Sequence, residues 1–224
     1  MERRDFITRA AIGLAAGAGT LVLRSDALPT PRSLDADDAE ALFTSVSPGP
    51  QATPADLRPT TPRELGPFYR SGSPYRAKLT PPLEAGMVLL VTGRVWSFQS
   101  KKPVAGALLD LWQVDNRTRD YSNGGGDFKN RARLLTDENG LYEFETVHPV
   151  PYQPNPNMWR SPHIHFIATA AGHKRLVSEL FFRGDEKQDI DPLFHNSLSM
   201  PIAKKAANGQ AYEHVVFDIV LETA

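Results

Sequence analysis

The run Trp159-Arg160-Ser161-Pro162-His163-Ile164-His165-Phe166 constrains this chain more than any other stretch. It follows a proline-rich loop that carries Tyr152. The apolar residues from Ile164 to Thr169 predict a strand, and successive side chains of a strand point to opposite faces. Both imidazoles then leave one face, and Ile164 and Phe166 leave the other. Unpaired imidazoles are costly to bury. Two neutral ring nitrogens converging from one rigid strand make half of a metal site. Tyr152 and Arg160 bring further polar groups to the same spot.

Composition narrows the chemistry. The chain of 224 residues has no cysteine. Zinc-thiolate sites, iron-sulfur clusters, disulfides and cysteine nucleophiles are excluded, and a metal here takes nitrogen and oxygen ligands. A net charge of -1, without a basic stripe, gives no footprint for nucleic acid. Nineteen prolines and 16 glycines suit a loop-rich β architecture better than a helical bundle.

The chain opens on Arg3-Arg4 followed by Phe6-Ile7 and an apolar run from Ala10 to Leu23. That is the form of a twin-arginine export signal, too short to read as a spanning helix. Cleavage after Ala18 or Ala27 would give a periplasmic protein with no stable membrane association; an uncleaved membrane anchor is the alternative. The domain expectation is a signal at 1–27, a flexible arm at 28–57 with a helical turn around Asp37 to Phe43, and a catalytic domain at 58–224. Thr61 to Tyr69, with its Gly66-Pro67-Phe68-Tyr69 end, begins the ordered part, and Tyr69 and Tyr75 are expected as packing residues or as lining of a pocket.

Strands are expected over Met87 to Trp96, Val104 to Val114, His163 to Thr169, Arg175 to Phe182 and Glu213 to Glu222. Arg133 to Val147 reads as a hairpin about Asn139-Gly140. Asp115 to Asn130 is a loop with Tyr121 just before Gly124-Gly125-Gly126, and Arg183 to Gly209 is a polar loop. The sum is an all-β fold: a β-sandwich of about seven to eight mainly antiparallel strands with long active-site loops.

Tyr121, Tyr152, His163 and His165 form one constellation. A phenol has a pKa near ~10, but a bound cation of high charge deprotonates its ligands. Two phenolates and a hydroxide balance Fe(III), and two imidazoles complete a five-coordinate centre. The motifs Trp112-Gln113, Asp120-Tyr121-Ser122, Leu135-Thr136-Asp137, Gly140-Leu141-Tyr142-Glu143-Phe144, Pro149-Val150-Pro151-Tyr152 and Trp159 to Phe166 resemble, in order, the intradiol ring-cleavage dioxygenases. The likeness covers roughly Thr61 to Leu221, and the protocatechuate 3,4-dioxygenase form is the closer one.

That resemblance implies one non-haem Fe(III) per chain, with Tyr121 and His163 equatorial and Tyr152 and His165 axial. It implies a catechol-type substrate and O2, in aromatic catabolism, giving a cis,cis-muconate-type diacid. Tyr152 would leave the iron and take up a catechol proton, and Arg160 would stabilise charge developing on the ring. Homo-oligomerisation is left open. The family often has Thr-Gln-Leu-Tyr-Phe where this chain has Ser178-Glu179-Leu180-Phe181-Phe182. Glu179 is therefore expected at the substrate, paired with Arg160 and disfavouring acidic catechols. Two rivals stand: a cupin-like Fe(II) or Mn(II) dioxygenase, which lacks its usual Glu after the His-x-His here, and a non-catalytic exported binding module. His148, His173, His195 and His214 are expected to be surface or structural residues.

Overall fold

The computed structural model describes residues 57–82, 84–114, 128–207 and 209–224. The expected signal, the arm up to residue 56 with its helical turn, and Tyr121 with its three glycines lie outside the described residues.

β1 (Val88–Ser97) is the seam of one sheet. One edge pairs antiparallel with β4 (Leu141–Val147). The other edge pairs parallel, first with β11 (Gln210–Val216) and then with β12 (Ile219–Leu221). β10 (Ala203–Ala207) continues this sheet beyond β11. The second sheet runs in the order β3 (Arg131–Leu135), β2 (Leu108–Trp112), β7 (His163–Thr169), β8 (Leu176–Phe182), β9 (Ser199–Met200). A two-stranded ribbon, β5 (Tyr152–Asn155) and β6 (Met158–Arg160), leads into β7.

The two sheets share one core. Leu89, Val91, Tyr142 and Phe144 from the first meet Leu109, Leu111, Ile164, Phe166 and Leu180 from the second. Each such side chain contributes about 1.5–3 kcal/mol when fully removed from water. Ile164 and Phe166 face this core, which sends His163 and His165 to the opposite face, as strand alternation requires. The β-sandwich and its main strands are where the sequence pattern places them. The additional short strands β5, β6, β9 and β10 escape the pattern because they lack alternation; Ala203-Lys204-Lys205-Ala206-Ala207 has no β-branched residue at all.

Two expectations are corrected. The arms of the Arg133 to Val147 hairpin form but do not pair: β3 pairs with β2 and β4 pairs with β1. The Asn139-Gly140 turn is a corner between sheets. Asp137 Oδ1 accepts from the amides of Asn139 (2.8 Å) and Leu141 (2.7 Å), and the Gly140 carbonyl accepts from Val95 N at 2.9 Å. Gly140 has φ +73, and a Cβ there would lie 3.0 Å from Val104 N. The closing strand is also two strands, broken at Phe217-Asp218. Asp218 breaks it by accepting from Arg94 N (2.9 Å) and Trp96 Nε1 (3.1 Å) across the gap. Tyr69 packs on Trp112, whereas Tyr75 is 61% exposed and lies against Arg133.

Candidate metal and substrate site

The site is built on one row of the second sheet. Trp112, His165 and Glu179 are in register across β2, β7 and β8. The Trp112 indole stacks on the His165 ring, with centroids 4.9 Å apart and planes 3° from parallel. That contact holds the ring flat while Gly66 passes over its edge. A Cβ on Gly66, which has φ +68, would sit 3.3 Å from His165 Cε1. Phe181, opposite His163 in the register, packs on the other imidazole.

The ribbon supplies the remaining groups. Tyr152 and Arg160 pair across β5 and β6, so one short element carries both. Tyr152 Oη lies 3.5 Å from His163 Nε2, and the two Nε2 atoms of His163 and His165 are 3.1 Å apart. His163 Nδ1 donates to the Ser161 carbonyl at 2.6 Å, which leaves its Nε2 as a lone-pair donor. His165 Nδ1 lies 3.4 Å from Glu179 Oε1, and that carboxylate favours the proton on Nδ1. Both Nε2 lone pairs then point at one spot. Facing lone pairs 3.1 Å apart repel, and a cation between them removes the repulsion.

Burial keeps both rings neutral. It pushes the His163 pKa down to about 3, with Arg160 acting in the same direction. It holds His165 well below the ordinary histidine value, with His163 and Arg160 adding to the effect. Two neutral imidazoles and a phenol fit a cation that takes nitrogen and oxygen ligands.

Arg160 is gripped on two sides. Its Nη2 donates to Glu179 Oε1 at 2.7 Å, and its Nε donates to Asp191 at 3.1 Å. Nη1 makes no hydrogen bond among the described residues. Burial opposes the guanidinium charge, but Glu179 above all holds its pKa above the usual value. Burial likewise raises the Glu179 carboxyl, against the pull of Arg160. His163, His165 and Glu179 are also close enough to form a metal-ligating group by themselves. Glu179, however, spends Oε1 on Arg160; that oxygen also lies 3.4 Å from His165 Nδ1 and 3.9 Å from His163 Nε2.

The structure thus brings together Tyr152, Arg160, His163, His165 and Glu179. Sequence reasoning missed Asp191. Its loop also holds Asp185, Glu186 and Asp189, and nothing in the sequence separates one acidic residue from the others. The remaining histidines lie elsewhere. His148 bridges two carboxylates, His214 bonds Thr92 at 2.9 Å, His195 caps the turn at Asn196–Leu198, and His173 bonds the Ala171 carbonyl at 2.9 Å.

Known proteins share this arrangement of chain. The dioxygenase family Dioxygenase_C matches residues 66–223. Chlorocatechol 1,2-dioxygenase of Rhodococcus opacus is 30% identical over 181 residues, 70% of this chain and 70% of that protein. The protocatechuate 3,4-dioxygenase beta chain of Burkholderia cepacia is 33% identical over 144 residues, 60% of each. The dioxygenase domain of a dioxygenase carbohydrate-binding protein fusion from Streptomyces sp. SirexAA-E superposes with a TM-score of 0.61 at 30% identity, covering 75% of this chain and all of that one. The chain belongs to the intradiol ring-cleaving dioxygenases.

Proposed function

We propose that this enzyme cleaves a catechol-type aromatic with O2 at one non-haem Fe(III) held by Tyr121, Tyr152, His163 and His165, and releases a cis,cis-muconate-type dicarboxylic acid. The observation that supports this best is the convergence of Tyr152 Oη with two lone-pair nitrogens that burial keeps neutral. A ferric ion held there would supply a Lewis acid that activates the catechol toward O2.

The chain's own residues do the rest. Tyr152 takes up a proton as the catechol enters. His163 and His165 keep their ring orientation through the Ser161 carbonyl and the Trp112 stack. Arg160 offers Nη1, which makes no hydrogen bond among the described residues, to negative charge developing on the ring. The likeness to a dioxygenase family over residues 66–223 argues against the cupin-like rival. We also read the protein as exported to the periplasm on the strength of Arg3-Arg4 and the apolar run after it.

A visible spectrum with metal analysis tests this on protein recovered from the periplasmic fraction. Iron is expected, with a broad tyrosinate-to-iron band that moves to longer wavelength on anaerobic addition of catechol. The Tyr152→Phe variant weakens the band, and Tyr121→Phe with Tyr152→Phe abolishes it. Retained colour in the double variant would contradict the ligand set. A colourless iron protein points to a ferrous site, and one that takes up no iron on reconstitution points to a binding module. Recovery from the cytoplasm alone counts against export.

A further inference from the structure

We infer that Asp191 is a positioning residue that sets both the aim of Arg160 and the tautomer of His163. The inference rests on the proposed ferric site. Asp191 lies in the long connection between β8 and β9, and its side chain is fully buried. Oδ2 accepts from Ser161 N and Ser161 Oγ, each at 2.9 Å. Oδ1 accepts from Leu193 N at 2.9 Å, and the Nε–H of Arg160 reaches both oxygens, at 3.1 and 3.3 Å. A carboxylate offers about four acceptor sites, and these donors fill them.

The bonds to Ser161 separate positioning from a plain ion pair, which needs only Arg160. With its amide and hydroxyl both held, Ser161 is fixed in place, and the proline that follows restricts the peptide that carries its carbonyl. That carbonyl is the one that accepts His163 Nδ1–H at 2.6 Å. Asp191 therefore dictates, through Ser161, that His163 presents Nε2 to the site. The same carboxylate closes the Nε edge of Arg160 while Glu179 closes Nη2, so the guanidinium plane has one orientation and Nη1 is left over. The connection is itself anchored, since Arg63 Nη2 donates to the Leu193 carbonyl at 2.7 Å.

Asp191→Asn tests this. The amide matches the carboxylate in shape, but every group around it is a donor, so its NH2 must face a donor and one partner is displaced. In the iron-free full-length protein, nitrogen-15 NMR should show His163 as the Nδ1–H tautomer and a slowly exchanging Arg160 Nε–H. In the variant, the tautomer becomes mixed and the Arg160 signal exchanges fast. Iron-loaded variant should lose about 10- to 100-fold in kcat/KM, the scale on which outer-shell partners of metal ligands act. The loss falls mainly on kcat, with KM within about 3-fold, because Arg160 acts on charge that develops during reaction. Should that variant fail to fold, Ser161→Ala removes a single donor and keeps the peptide. It should shift the His163 signal and lower kcat/KM by about 3- to 10-fold.

Unchanged His163 and Arg160 signals overturn the inference. So does a fall in activity that merely follows a fall in Tm. Wild-type protein that binds no iron overturns the ferric site and the inference with it. Iron binding with silent NMR signals overturns only the role of Asp191.

Discussion

Glu179 puts a second carboxylate on Arg160 where a neutral amide is common in the family it resembles. With Asp191 on the other edge, two buried carboxylates face one buried guanidinium. An anionic ring substituent entering this site meets no surplus of positive charge and pays desolvation as well. Glu179→Gln keeps an acceptor for Arg160 Nη2 and removes one negative charge. The expected outcome is a rise of about 10-fold in kcat/KM for a carboxylated catechol relative to a neutral one, equivalent to about 1.4 kcal/mol. Oxygen uptake across matched substrates measures it, and an unchanged ratio would sink the idea. This pairing was legible because Glu179 departs from a motif whose arginine is nearby in the motif order. The row Trp112, His165, Glu179 was not legible, since register across three strands depends on long-range pairing that no local pattern encodes.

At the scale of elements, local signals name strands and turns reliably but do not say what pairs with what. Asn139-Gly140 marks a true turn, yet the strands it joins lie in different sheets. Alternation through Val215, Phe217, Ile219 and Leu221 suggests one strand, yet Phe217-Asp218 breaks it so that β11 and β12 follow β1 in succession. Gly93 makes that break feasible. The Phe217 carbonyl passes so close to Gly93 that a Cβ there would lie 1.9 Å from its oxygen, and Tyr142 Oη would be 2.9 Å away. Phe217 N also donates to the Thr92 carbonyl at 2.9 Å, which fixes the approach. Backbone cannot yield as a side-chain tip can, so Gly93→Ala should destabilise by about 3 kcal/mol or more, the upper end for overpacking. Denaturant unfolding measures this; a loss under about 1 kcal/mol would mean the β11–β12 break relaxes freely.

Across the whole molecule, His148 ties the two sheets together. It follows β4 of the first sheet, and its Nδ1 meets Glu213 of β11 at 2.6 Å. Its Nε2 meets Asp185, just past β8 of the second sheet, at 2.8 Å. Only the imidazolium donates from both nitrogens. Burial lowers the His148 pKa, but Asp185 and then Glu213 outweigh burial and raise it above the ordinary value. A raised folded pKa gives stability that is fully present below the unfolded value of about 6.5 and is lost as pH rises through the folded value. The clamp is partly exposed, with side chains 12–17% accessible, so about 1–2 kcal/mol is a reasonable size. That corresponds to about 2–4 °C in Tm per kcal/mol for a chain of this length. Wild type should therefore melt about 2–8 °C above His148→Gln near pH 6, and the gap should narrow as pH climbs toward 9. The difference between the two proteins isolates the clamp from every other titrating group. A gap that stays constant or widens with pH would show that His148 acts by packing on Phe182, not by charge. Because the connection that carries Asp185 also carries Asp191, the same loss of the clamp should loosen the grip on Arg160, and kcat in His148→Gln should fall in step with the Tm gap.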